Sequence, residues 1–416
     1  MEFFRPFSET RLPFLTASLP GVGGTIKQLN EDFRVEELPL YLPCGQGTHT
    51  YFVIEKRGMT TPAAIERIAR SLGVKRQDIG YAGLKDAHGV TRQTLSVEHV
   101  APERVSALTF DDLSVLSVDR HGNKLKLGHL AGNRFTVRIR DAARWDVKLA
   151  RTVLEVLARR GTPNYFGPQR FGNRGDNALI GRAILLGRFD EAVALLLGRP
   201  GPTDAGAPRK ARELFDAGDW AAAADAWSRG FPPQARVCRA LVKSGDNAQR
   251  AWRAVDHGLR RLLLSAAQSE LFNGVLAARV DALDRLELGD VAWKHANGAC
   301  FLVTDTAAEQ PRCDALEISP TGPLFGRRMK EAEHEVAARE TTALNASGIS
   351  PDRFREAEGR ELDGARRPLR VPLREADVER GEDTRGQFLM LRFALPPGAY
   401  ATNVAREVCK TTTYVG

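Results

Sequence analysis

What the 416-residue sequence lacks narrows its function before any motif is read. No apolar run reaches the roughly 18 residues that a membrane span requires. The longest candidate, around Leu262–Leu264, is flanked by Arg260, Arg261, Gln268 and Glu270. The opening MEFFRPFSETRLPF has no basic-then-apolar leader, so no secretory signal is expected. The five cysteines form no CxxC, and the eight histidines show no HExxH or HxxxH spacing. A disulfide framework and a zinc cage are therefore not expected, which suits a reducing cytoplasm. A GxxxxGK[ST] phosphate loop and a GxSxG elbow are also missing. Gly21-Val22-Gly23-Gly24 has Ile26 where a dinucleotide fingerprint needs its third glycine, and it precedes a strand-like run, so it reads as a turn.

What is present is an ordinary globular composition, 43% hydrophobic and 27% charged, long enough for two or three domains. The charge is uneven. Residues 1–119 carry 13 basic and 15 acidic groups, and residues 183–416 carry 33 of each. The stretch from Arg120 to Arg182 carries 14 basic and 4 acidic, a net of +10. A concentrated basic stretch is the footprint of a polyanion partner, although a solvated basic face would read the same way.

Periodicity gives the organisation. Thr25–Leu29, Phe33–Leu38 and Thr50–Glu55 read as strands. Thr61-Pro62 then opens a helix that Gly73 stops, with Ala64, Ile65, Ile68, Ala69 and Leu72 on one face. Ile79–Ala82 and Gln93–Val97 are further short strands. In Arg134–Arg140, Phe135, Val137 and Ile139 alternate with Arg134, Thr136, Arg138 and Arg140, which predicts a strand with one core face and one arginine face. A helix follows from about Trp145 to Arg160. From about 175 to 285 the pattern is helical, with a Pro/Gly break at 200–208, a segment Ala211–Ser228 like half a helical repeat, and a long helix Gly258–Val280. Strand-like pieces return at Asp290–Trp293 and Cys300–Val303. Residues 330–367 read as a solvated helix and loop. Leu369–Leu373 and Gln387–Leu395 are strand-like, and Ala401–Thr411 is helical. Mixed ends around a helical middle suggest one domain split by an insertion.

Among candidate chemical groups, Asp86 sits in YAGLKDAHGVTRQ, where Gly80, Gly83 and Gly89 would let backbone approach a ligand. On position alone the turn-forming reading of Asp86 is the stronger. The segment nevertheless resembles the catalytic-aspartate motif of the TruD family of tRNA pseudouridine synthases. The resemblance extends to Lys27-Gln28-Leu29-Asn30-Glu31-Asp32-Phe33-Arg34-Val35, to Leu130–Phe135, to Pro163–Gly172, to Ser269–Asn273 and to Leu395–Glu407. These six ordered motifs run from residue 27 to 407.

The resemblance implies an α+β fold. A pseudouridine-synthase catalytic domain with a mixed, largely antiparallel sheet (1–165 plus 370–416) would be interrupted by a mostly helical α/β insertion, the TRUD domain (166–369). Residues 200–256 would be extra helical material within it. The implied activity is isomerisation of uridine to pseudouridine in tRNA, at position 13, without metal or cofactor, by a monomer. By resemblance Asp86 is catalytic and Lys27 is its basic partner. Phe33 and Tyr400 line the uracil pocket, Asn133 binds the base edge, Phe135 is a further substrate-binding residue, and Gln169 and Arg170 touch RNA or brace a loop. Read singly, Lys27 could be a surface lysine, Phe33 core, and Asn133 a turn residue. Tyr400 stands where relatives often have Phe. The rival functions are a tRNA-binding protein or RNA chaperone without catalysis, and a protein scaffold using the helices around 211–257.

Overall fold

The computed structural model describes residues 5–227, 230–356 and 362–411. The chain divides into two units, one of Phe14–Thr162 with Val371–Gly416, the other of Met1–Pro13 with Pro163–Arg370. The first thirteen residues thus go with the middle of the chain, where the sequence pattern places them with its ends.

The terminal unit is built on one eight-stranded sheet. Its strands are β1 (Phe33–Pro39), β2 (His49–Arg57), β3 (Gly80–Tyr81), β4 (Val90–Glu98), β5 (Leu113–His121) and β6 (Leu130–Ile139), joined by Arg374–Asp383 and Gly386–Leu395 late in the chain. From one edge the order is Arg374–Asp383, Gly386–Leu395, β6, β1, β4, β2, β5, with β3 beside β4. Only β1 and β4 run parallel; the other pairs are antiparallel. Helix α1 (Thr61–Leu72) follows β2. Thr60 caps it, Pro62 lies in its first turn and Gly73 ends it in a left-handed conformation. Its apolar stripe packs with Phe52, Ile54, Leu95 and Val97.

One sequence expectation fails here and one strand goes unread, each for a local reason. Thr25–Leu29 is not a strand. Thr25 makes an isolated bridge to Arg140, and bridging stops at Ile26 because Lys27 takes a positive φ of 62° and Asn30–Asp32 closes a 3₁₀ turn. Strand Arg374–Asp383 escapes a reading by pattern because in READVERGED only Ala376 and Val378 keep an apolar alternation, too short to read; it is an edge strand held by Gly386–Leu395.

The central unit packs helices from Asn177–Leu185 to the 23-residue His257–Arg279 around Trp227, Trp252, Leu196 and Leu263. The 200–208 break is shorter than expected, since helix Gly206–Asp216 begins inside it. A four-stranded sheet orders Ala365–Pro368, Ile318–Leu324, Val291–Lys294 and Cys300–Leu302. Residues 330–367 are accordingly not all solvated: helix His334–Ser347 buries Val336, Ala343 and Leu344, and Ala365–Pro368 joins that sheet. Ser228 and residues 357–361, included in those expectations, lie outside the described residues.

Candidate active site

Strand alternation decides which side chains meet. Phe33, Val35 and Glu37 of β1 share one face of the sheet with Phe52, Ile54 and Lys56 of β2 and with Thr91, Gln93 and Leu95 of β4. Asn133, Phe135 and Val137 of β6 continue that face, with Phe135 opposite Val35 and Asn133 opposite Glu37. Most of it is apolar core. The polar groups Glu37, Lys56 and Gln93 all grip one turn, residues 82–89.

Side chains and backbone share the grip. Gln93 Nε2 donates to the Gly83 carbonyl (3.4 Å), and the buried Lys85 ammonium pairs with Glu37 (2.6 Å). Thr61 Oγ1, at the start of α1, accepts from the Lys85 backbone N–H (2.9 Å) and donates to Gln93 Oε1 (2.8 Å). Lys56 Nζ donates to the carbonyl of Asp86 (2.9 Å) and to that of Met59 (2.5 Å). The Gly58 N–H donates to the Gly89 carbonyl. The backbone on either side of Asp86 is therefore fixed by side chains from two strands and a helix.

The Asp86 carboxylate is left partly open, 25% exposed, with Oδ2 3.0 Å from Lys27 Nζ. The Lys27 side chain is 8% exposed, and its ammonium also sits 4.0 Å from the centre of the Phe33 ring. Carboxylate and aromatic face together solvate a nearly buried cation. The surface-lysine reading of Lys27 is thereby excluded. Lys56 has another character. Burial pushes its ammonium down to about 8, opposed by the nearby Asp86 charge and reinforced by Lys85.

The aromatic candidates separate. Phe33 and Phe135 are buried 6.0 Å apart, and Phe135 stacks on Phe393 (5.6 Å). Phe135 is thus a core ring behind Phe33. Tyr400 is the residue before helix Ala401–Cys409 and is half-buried. The Oδ1 of Asn133 is buried with no hydrogen-bond partner among the described residues. A buried acceptor left unmet is costly, and it suits a donor supplied by a ligand. Gln169 and Arg170 are not part of this constellation. They lie on the short helix Pro168–Phe171 of the central unit, where Arg170 donates to Ser265 Oγ (3.1 Å) and stacks over Phe166.

Two sequence readings are corrected. Gly80 and Gly89 serve the chain itself, because a Cβ would meet the Leu125 carbonyl oxygen at 2.3 Å and that of Phe33 at 2.5 Å; only Gly83 has room. The arginine face of β6 is also not bare. Arg134 pairs with Glu36 and Glu375, and Arg138 with Asp383. Arg140 is buried between Asp32 and Asp383.

Lys56, Thr61, Gln93 and the Lys85–Glu37 pair contribute to the site without having been singled out by sequence. A signal existed: Lys56 and Glu37 fall on the apolar phase of their strands, where a charge needs a reason.

A family model described as tRNA pseudouridine synthase D (TruD) matches residues 11–408. The chain is 52% identical over 401 residues to the tRNA pseudouridine synthase D of Geobacter metallireducens, covering 95% of this chain and 97% of that one. It is 50% identical over 397 residues to the Geobacter sulfurreducens protein of that name, covering 95% and 96%. A crystal structure described as a putative tRNA pseudouridine synthase D from Methanosarcina mazei matches with a TM-score of 0.82 at 26% identity, over 99% of both chains. Fold and relatives together define an isomerase of the pseudouridine-synthase class. Within that class, the chain belongs to the TruD family.

Proposed function

We propose that this enzyme isomerises uridine at position 13 of tRNA, with Asp86 as the reacting group and no cofactor. The observation that carries the reading is the Lys27–Asp86 pair: an ion-paired carboxylate, partly open, on a turn fixed from every side. Pseudouridylation detaches uracil from C1′, turns it and rejoins it through C5. An ionised carboxylate can attack C1′ or take the C2′ proton to give a glycal, and either role needs it charged and immobile.

Lys27 pairs with the Asp86 carboxylate and supplies its counter-charge as water is excluded. The base reaches it by leaving its stack, at the cost of unpairing. Phe33 and Tyr400 then offer ring faces, Phe135 backs Phe33, and the unmet Asn133 Oδ1 accepts from the imide N–H of uracil. Gln169 and Arg170 of the central unit brace the RNA side. The terminal unit is the catalytic domain of this reading and the central unit its TRUD domain, and the enzyme works as a cytoplasmic monomer.

The test is incubation of the purified protein with unmodified tRNA transcripts, followed by mapping of pseudouridine at nucleotide resolution. Pseudouridine at position 13 alone is expected. Product at other positions only would overturn the position assignment, and no product would overturn the activity.

A further inference from the structure

We propose that Lys56 is a positioning residue for the reaction, whose charged ammonium ties the main chain at Asp86 to the β2–α1 turn and so holds the carboxylate in its working place. The proposal rests on the reading of Asp86 as the reacting group.

Lys56 ends the inward row Phe52, Ile54, Lys56, and it is 1% exposed. Among the described residues it has no ion-pair partner, in contrast to Lys27 and Lys85 beside it. Burying an ammonium without a counter-ion is unfavourable, so a lysine at this point of the core needs a compensating role. Its contacts supply one. Two N–H groups go to the carbonyls of Met59 and Asp86, 27 residues apart in sequence. Two residues beyond Met59, Thr61 holds the backbone N–H of Lys85. The end of β2 and the start of α1 thus grip two successive residues of the turn, one through a cation and one through a hydroxyl.

The charge acts as well as the hydrogen bonds. The groups facing Lys56 are Asp86, which favours its charged form, and Lys85, which opposes it. Around the turn stand three ammonium groups, Lys27, Lys56 and Lys85, against two carboxylates, Asp86 and Glu37. The site carries one surplus positive charge beside the Asp86 carboxylate. Because burial pushes Lys56 down to about 8, that surplus disappears as pH rises through that value. The neutral amine still donates to carbonyls, but without the strength of a charge-assisted bond.

The test compares wild type, Lys56→Met and Lys56→Arg from about pH 6 to 9.5, by single-turnover pseudouridine formation and tRNA Kd, with a melting curve for each. Wild type should slow above about pH 8. Lys56→Met should be at least about 30-fold slower at neutral pH with Kd within about threefold, and should show no alkaline fall. Lys56→Arg cannot lose its charge and should keep at least about a tenth of the rate through pH 9.5. A Lys56→Met enzyme within about threefold of an active wild type, or a loss confined to Kd, overturns the role of Lys56 alone. If Lys56→Met does not fold, the other two profiles decide. A fall in wild type that Arg abolishes supports the proposal, and the same fall in both, or in neither, overturns it. A folded wild type inactive at every pH overturns the reading of the site, and the role of Lys56 with it.

Discussion

At the scale of single residues, the site is a small number of polar groups set into apolar strand faces. Tyr400 separates stacking from hydrogen bonding. If its ring holds the base, Tyr400→Phe should keep kcat/KM, while Tyr400→Ala should lose roughly 5- to 150-fold, the equivalent of about 1–3 kcal/mol of stacking. Equal losses in both variants would give the role to the hydroxyl instead. The unmet Oδ1 of Asn133 makes a second prediction. Asn133→Asp leaves the shape but puts a carboxylate where a neutral acceptor serves; as a charge at a buried, unpartnered position it should lower the melting temperature, and in protein still folded at the assay temperature it should weaken kcat/KM by at least about tenfold. Unchanged kinetics would place Asn133 outside the base-binding surface. Asp86 and Lys27 were legible in the sequence only through motif resemblance, since a lone loop aspartate and a lone lysine carry no chemistry by themselves. Lys56 was legible in principle from its phase on β2, yet short-range pattern cannot show which carbonyls a lysine will meet.

Among elements, α1 was readable to the residue because its start and stop are local: a threonine cap, an early proline and a terminal glycine. Arg374–Asp383 was not, because an edge strand owes its conformation to its partner and not to its own pattern. The arginine face of β6 shows the same limit, since its countercharges come from distant segments. The Asp32–Arg140–Asp383 cluster joins the turn before β1, the end of β6 and the end of that edge strand. Asp32 is 0% exposed. Removing its partner leaves a buried unpaired charge, so Arg140→Gln should cost about 3–5 kcal/mol in denaturant unfolding. A change under about 1 kcal/mol would mean that water enters the cluster. Asp383 adds a pH dependence. Hydrogen bonds from the Arg140 side chain and the Arg385 backbone hold its carboxyl down to about 2, against an ordinary 3.8. A lowered carboxylate stabilises the fold above its unfolded value and loses that contribution as pH falls through the folded one. Between about pH 4 and 2, wild type should therefore lose more stability than Asp383→Asn, measured by urea midpoints at each pH. Parallel curves would remove Asp383 from the acid response.

For the whole molecule, the concentration of positive charge was plain in the sequence, but which cations are available was not. Five arginines of that stretch, Arg134, Arg138, Arg140, Arg151 and Arg174, are paired with carboxylates. Lys126, Arg144 and Lys148 are exposed and have no such partner among the described residues. The salt dependence of tRNA binding should follow the second group. Exchanging Lys126, Arg144 and Lys148 for Gln should reduce the log–log slope by about one for each phosphate no longer neutralised, and Arg138→Gln should leave it unchanged. The opposite pattern would place the RNA on the β6 arginines. The chain divides into one unit of Phe14–Thr162 with Val371–Gly416 and another of Met1–Pro13 with Pro163–Arg370.

The central claim is that the carboxylate of Asp86 performs the chemistry, and Asp86→Asn tests it most directly. The amide keeps the shape of the side chain but can neither attack C1′ nor take a proton. The measurement is single-turnover pseudouridine formation and tRNA Kd for wild type and Asp86→Asn on the same transcript. The rate should fall by at least about 10³-fold, roughly 4 kcal/mol in the barrier, with Kd within about threefold. A variant within about tenfold of the wild-type rate would contradict the account, and the reacting group would have to be sought elsewhere in the chain.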